Sequence, residues 1–338
     1  MTAARRRTAF VALLALCVVG AGVAVLAGLG SGGAAKGGST GALADAQQTR
    51  RPVVLYRTGD RSQGPGGQLA LASLAQPGTP ATALHLSCGR VSYAGGAGLC
   101  LTQAKGFAAG YEADVFGADL KVRHRLAVEG VPSRARVSPD GRYGAVTLFV
   151  TGHSYAAAGQ FSTDTTLIDM RSGREVAQLE RFAVTKGDRQ LTALDMNFWG
   201  VTFARDSDRF YATLATGGKT YLVEGSVRGR TARVLHENVE CPSLSPDGTR
   251  IAYKKRTGPA SRPWHLTVLD LATMHETPLA ETRSIDDQVE WLDDRRVLYG
   301  VGGDVDVAAA DGTGRPARFL TGGGSPTVLS WAARTPAS

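Results

Sequence analysis

Leu244-Ser245-Pro246-Asp247-Gly248-Thr249-Arg250-Ile251-Ala252-Tyr253 reads as strand, turn, strand. Pro246 fixes φ where the first turn position needs it, the Asp247 side chain can accept from the backbone ahead of it, and Gly248 tolerates positive φ. Ile251 and Tyr253 then point to one face of the outgoing strand and Ala252 to the other. The same pattern stands at Val137-Ser138-Pro139-Asp140-Gly141-Arg142-Tyr143-Gly144-Ala145-Val146. Looser copies surround Asp206, in Phe203-Ala204-Arg205-Asp206-Ser207-Asp208-Arg209-Phe210-Tyr211, and Asp293, in Trp291-Leu292-Asp293-Asp294-Arg295-Arg296-Val297. A glycine-based version sits at Val91–Leu101.

Asp140, Asp206, Asp247 and Asp293 are separated by 66, 41 and 46 residues. Two of these gaps match the ~40–50-residue period of propeller blades. The wide gap carries two polar stretches, Gly152–Ser162 and Thr185–Leu191, which read as loop insertions. From Val53 onward short β-rich runs alternate with turn clusters, and no amphipathic helix of ten or more residues is legible. The fold class is therefore all-β, a six-bladed β-propeller over residues 51–334.

The blades follow in order. The first takes Val53–Arg57, Gln68–Leu74 and Thr82–Leu86, with no turn-motif strand ahead of them. The second covers Cys88–Val128, the third Arg134 to about Val184, the fourth Asn197–Val239 and the fifth Cys241–Pro278. The sixth starts at Val289, and a strand at Thr327–Trp331 is left over. Lending that strand to the first blade would close the ring and remove an open sheet edge.

Ahead of the repeats, Arg5-Arg6-Arg7 precede 23 uncharged residues from Thr8 to Gly30, long enough to span a bilayer. The flanking cations predict a cytoplasmic tail at residues 1–7 and the bulk of the chain outside. The competing reading is a cleaved signal. Ala42-Leu43-Ala44 would serve as its cleavage site, but it lies 14 residues beyond Gly30, and the apolar run is longer than such signals need. A retained single-pass anchor is favoured, with a secreted form as the alternative. A lipoprotein reading through Cys17 and a twin-arginine reading of Arg6-Arg7 are weaker. Residues 31–50 are rich in Gly, Ala and Ser and read as a flexible linker. Gly28-x-Gly30-x-x-Gly33 lies outside any βαβ context, so it is no dinucleotide fingerprint.

The formal charge is +8. Four of the 38 cations, Arg5, Arg6, Arg7 and Lys36, precede the folded part, so 34 remain against 30 carboxylates. Nothing here resembles a nucleic-acid-binding stripe. Arg outnumbers Lys by 31 to 7, a composition compatible with a high-GC genome.

The SPDG-centred repeats resemble the WD40-like repeats of TolB-type six-bladed propellers, over about 280 residues. With the anchor ahead of it, the chain looks like a TolB-like protein of high-GC Gram-positive bacteria. The resemblance implies a fold, an export address and a binding role. The extra α/β domain of TolB has no counterpart in the short linker here, so a role in the Tol complex is not implied.

Cys88 and Cys100 flank the glycine turn of the second blade, on strands expected to be neighbours, and an extracytoplasmic address permits a disulfide between them. The alternative is that both are small core residues. Cys241, with Ala252 at its partner position, reads as a lone buried thiol. The histidines show no zinc spacing. Gly217-Gly218-Lys219-Thr220 is a hairpin turn in preference to a phosphate loop, and no G-x-S-x-G occurs. Asp304-x-Asp306 and Asp311-Gly312 could hold a cation or simply make turns, and the motif aspartates read as turn-makers. His153-Ser154-Tyr155, Asn197-Phe198-Trp199 and Arg262-Pro263-Trp264-His265 place aromatic and basic residues beside loops, where packing between blades competes with ligand contact.

The expectation is a monomeric, non-enzymatic module without cofactor or metal, binding an envelope protein or cell-wall ligand. A lactonase- or sialidase-like hydrolase is the alternative. It would need carboxylates converging on a channel metal, and a channel lined by Ala, Gly and Ser would exclude it. A sensor ectodomain is disfavoured by the seven-residue tail.

Overall fold

The computed structural model describes residues 38–59, 66–104, 110–150 and 162–329. Their strands form six sheets, each with four strands in simple antiparallel succession, except that one carries two more. The second, third, fifth and sixth blades begin on the inner strands Arg90–Ala94, Val131–Val137, Glu240–Leu244 and Glu290–Asp293, and the fourth on Asn197–Phe203.

The first blade takes its inner strand from the other end of the chain. Gly323–Leu329 runs antiparallel to Val53–Thr58, pairing Val53 with Leu329 and Thr58 with Gly323. This is the end-to-start clasp, begun a few residues earlier than the Thr327–Trp331 segment read from sequence; Trp331 lies outside the described residues.

Side-chain alternation explains why the ring closes. Each core strand is buried on both faces, because each blade packs against a neighbour on either side. Val53 and Leu55 join a cluster with Val91, Tyr93 and Phe116 of the second blade, while Val54 and Tyr56 meet Leu298, Val305 and Leu320 of the sixth. Ile251 and Tyr253 pack against Tyr211 and Leu222 of the fourth blade, and Ala252 faces Trp291 and Val297 of the sixth. Successive pairs in between share two further clusters, one around Leu99, Val137 and Ile168, the other around Leu167, Phe198 and Phe210. Six blades thus share six apolar interfaces.

Three sequence expectations need correction. Cys88 ends the outer strand of the first blade, not a strand of the second, and Gly67 is its register partner. The disulfide to Cys100 is present, with Cα atoms 5.4 Å apart, but it staples the first blade to the second. The stretch Thr185–Leu191 is not a loop. It belongs to a hairpin, Ala183–Lys186 with Arg189–Leu191, that lies parallel to Thr231–Glu237 on the outside of the fourth blade and buries Val184. Finally, part of the stretch read as linker is folded against the blades. Ser39 bridges to Leu84, and Ala42–Gln48 forms a helix whose Leu43 and Ala46 enter the cluster between the first two blades. Seven residues with two apolar anchors give too weak a periodicity to recognise in isolation.

The interface between the third and fourth blades holds a partly buried acid. The Glu180 carboxyl accepts from the N–H groups of Thr165, at 3.1 Å, and Phe198, at 3.3 Å. Burial nevertheless outweighs these donors and raises its pKa to about 8, so the group is largely protonated at neutral pH. A folded-state pKa raised above the unfolded value contributes stability below about pH 4.5 that fades as pH rises through 8.

The span Thr8–Gly30, Cys17 and the loop with His153-Ser154-Tyr155 all lie outside the described residues. Among the described residues no helix is long and apolar enough to cross a membrane.

Candidate functional site: the charged mouth of the central channel

The repeat turns are built as hydrogen-bonded units. The Gly141 and Gly248 N–H groups donate to the Ser138 and Ser245 carbonyls at 2.8 and 2.9 Å, with both glycines at positive φ. Asp140 Oδ1 accepts from the Ser138 hydroxyl at 2.7 Å and the Arg142 N–H at 2.9 Å. Asp206 Oδ1 accepts from the N–H of Arg209, and Asp293 Oδ1 from that of Arg295, each at 2.8 Å. Burial alone would raise the Asp247 carboxyl, but the Ser245 hydroxyl, the N–H and hydroxyl of Thr249 and the Arg250 guanidinium hold it at about 2.

These turns also touch one another. A Cβ on Gly95 would lie 2.2 Å from the Asp140 carbonyl carbon, Arg205 donates to the Pro246 carbonyl, and the Asp247 N–H donates to Asp294 Oδ1 at 2.9 Å. The motif aspartates are therefore committed to turns and to inter-blade contacts.

A different ring gathers further along the inner strands. Arg134, Gly200, Cys241 and Asp287 each lie six residues before the aspartate of their turn. The fold brings them to one level, with Ser325 and Arg90 completing the circuit in the first and second blades. Arg90 Nη1 donates to Ser325 Oγ at 3.1 Å and stands 3.8 Å from Asp287. Arg134 Nη2 is 3.7 Å from Cys241 Sγ, and a Cβ on Gly200 would lie 2.6 Å from Cys241 Cα.

Inner-strand bulges create this level. Pairing registers shift around Gly200, Cys241 and Ser325, and all three have positive φ, at 65°, 51° and 51°. Cys241 thus sits in the bulge rather than opposite Ala252, which pairs with Ser243. Its N–H is satisfied by Thr213 Oγ1 at 2.9 Å.

Charged side chains surround the ring. Arg136 pairs with Glu290, whose other oxygen accepts from the Val328 N–H at 3.2 Å. Lys254, with only 4% of its side chain exposed, reaches the exposed Asp286 at 2.5 Å. Burial would lower the Lys254 pKa, but the Cys241 sulfur and Asp286 carboxylate together raise it; Asp286, which partial desolvation alone would raise, is in turn lowered by Lys254 and Arg134. Gln288 donates to the Pro242 carbonyl at 2.8 Å. Between these groups lies a cavity of about 40 Å³ lined by Arg90, Arg134, Arg136, Asp287 and Ser325 among others.

The cavity is lined by Arg90, Arg134 and Arg136 with Asp287, and also by small residues such as Ala135 and Ser325. Among the described residues no three His, Cys, Asp or Glu side chains are grouped to hold a metal.

The remaining candidates disperse. Asp304 and Asp306 do not leave room for a cation, since Arg318 pairs with both and Arg283 with Asp306 at 2.6 Å. Asp311 binds the Thr313 N–H and hydroxyl. Gly217-Gly218 turn a hairpin that pairs Thr216 with Lys219. Phe198 and Trp199 are buried. Trp264 is half-buried, with Lys254 Nζ and Arg256 Cζ 4.3 and 4.2 Å from its ring centre, so it stacks on intramolecular cations. Sequence reading missed Arg90, Arg134, Arg136, Lys254, Asp287 and Glu290. For Arg134 and Asp287 the fixed offset before the turn aspartate was the available signal; for the other four there was none.

No protein-family model matches this chain, and no curated protein matches it. Solved structures do. TolB from Acinetobacter baumannii superposes with a TM-score of 0.55 at 14% identity, covering 82% of this chain and 66% of that one. A chain of a nidogen/laminin complex superposes at 0.54 and 10% identity, covering 82% and 98%. A Mycobacterium tuberculosis puromycin-hydrolyzing peptidase reaches 0.46 at 16% identity over 75% and 42%, too low a similarity to carry an argument. This chain spans about two thirds of the length of the A. baumannii protein. At these identities the likeness establishes the propeller fold and nothing finer.

Proposed function

We propose that this chain is a non-enzymatic binding propeller held outside the cytoplasmic membrane by the Thr8–Gly30 anchor, presenting its channel mouth and loops to an envelope protein or cell-wall ligand. The observation that carries this reading is the way the charges of the mouth are used. Arg136 and Glu290 link the third blade to the sixth, with the Val328 N–H beside them; Gln288 caps the Pro242 carbonyl; Trp291 Nε1 donates to the Ser243 carbonyl at 2.9 Å. Side chains spent in this manner hold the inner strands in fixed relation, as suits a rigid platform for variable loops.

The Cys88–Cys100 bond supports the external address, since such bonds persist in oxidising compartments. The complex that gives the nidogen/laminin structure its name provides a parallel for a propeller engaged with a protein.

Crosslinked capture of the tagged full chain from its producing cells tests the reading. One recurrent partner is expected, displaced by excess untagged chain and retained in chelator. Failure to retain any partner, together with a melting temperature raised by calcium, would favour the metal-dependent hydrolase.

A further inference from the structure

We propose that the cavity at the channel mouth binds a small oxyanion group (phosphate, sulfate or carboxylate) through the guanidinium groups of Arg134 and Arg136, with Arg90 beside them. Three observations converge.

The first is charge. Arg90, Arg134 and Arg136 line the cavity together with Asp287, and Glu290 is committed to Arg136. Among the described residues no carboxylate comes within ion-pair distance of Arg134; its Nη1 donates to the Ser133 carbonyl at 2.9 Å, and Nη2 faces the Cys241 sulfur. Asp286 and Asp287 act on it only at longer range.

The second is hydrogen-bonding capacity. Arg134 Nε and Arg136 Nε are buried and have no partner among the described residues. Leaving a buried donor unmet is costly, and for a cation the remedy is a charge-assisted bond. The planar guanidinium suits the oxygens of an oxyanion better than any other side chain.

The third is size. At about 40 Å³ the cavity is far below the ~300–1,000 Å³ of pockets that hold drug-sized ligands. It corresponds to roughly three water-sized volumes, which is the scale of one oxyanion group. The walls are also built to stay in place, because Arg134 and Ser325 project from bulged inner strands and Arg90 is held by Ser325.

This inference goes beyond the binding-module reading, because capture of a partner and uptake of a free oxyanion can each fail alone. The test is calorimetric titration of the detergent-solubilised full chain with inorganic phosphate, methyl phosphate and acetate. Sodium chloride at matched ionic strength is the control. Saturable binding by at least one oxyanion, absent with chloride, is expected, and folded Arg134→Gln should bind at least tenfold more weakly, with Arg134→Lys between the two. Equal binding of phosphate and methyl phosphate would mark a group carried on a larger molecule; phosphate alone would mark the free ion; acetate alone would mark a carboxylate. The wild-type titration decides the matter even if the variants misfold. No saturable binding by any of the three, or wild-type affinity in folded Arg134→Gln, would overturn the proposal.

Discussion

A chain ending at Gly322 is expected to lose its cooperative unfolding transition and to elute as an expanded or aggregated species. The missing strand Gly323–Leu329 pairs with Val53, Val54, Leu55, Arg57 and Thr58, and its removal leaves their inward-facing backbone groups as an open edge. Leu329 also leaves the cluster between the first two blades, Arg90 loses Ser325, and Glu290 loses the Val328 N–H. Backbone hydrogen bonds at roughly 1 kcal/mol each and one buried leucine at roughly 2–3 kcal/mol amount to several kcal/mol. That is comparable with the ~5–15 kcal/mol by which a whole domain is stable. A chain ending at Leu329 is the control that separates the strand from the tail beyond it. Urea melts read the outcome: a Gly322 truncation that unfolds cooperatively near the full-length midpoint would show that the clasp does not close the ring.

Gly200→Val should destabilise by about 4 kcal/mol, for two separable reasons. Gly200 has φ of 65°, where a β-branched residue is strained by roughly 1–3 kcal/mol. The new Cβ would also lie 2.6 Å from Cys241 Cα on the next inner strand, a backbone contact that no rotamer change relieves. Gly248→Val isolates the first cost, since φ there is 77° and a Cβ meets nothing within 4 Å. The difference between the two variants in denaturant midpoint measures how closely the fourth and fifth blades approach at the channel. Equal midpoints would mean that the bulged strands are not in contact there.

Much of the ring is legible in the chain. The turns at Asp140 and Asp247 carry their chemistry within six residues, so local rules suffice for them, and side-chain alternation at Ile251, Ala252 and Tyr253 announces a strand buried on both faces. The clasp follows from counting strands. What could not be read locally depends on partners distant in sequence. Arg136 and Glu290 are 154 residues apart, and Arg90 and Ser325 are 235 apart. Cys88 was assigned to the wrong blade because a strand boundary shifted by a few residues moves a residue from one sheet to the next. The hairpin at Ala183–Leu191 looked like a loop because its apolar content is little more than Val184 and Leu191, and its parallel partner begins some forty residues later.

The state of Cys88 and Cys100 in the producing cell tests the exported ring most directly. Cells are quenched in acid, free thiols are alkylated under denaturing conditions, and the chain is digested without reductant for mass spectrometry. An external, closed propeller predicts that the Cys88 and Cys100 peptides are joined while Cys241 is alkylated. Recovery of Cys88 and Cys100 both as alkylated free thiols would place the ring in a reducing compartment and contradict the address on which the binding role depends.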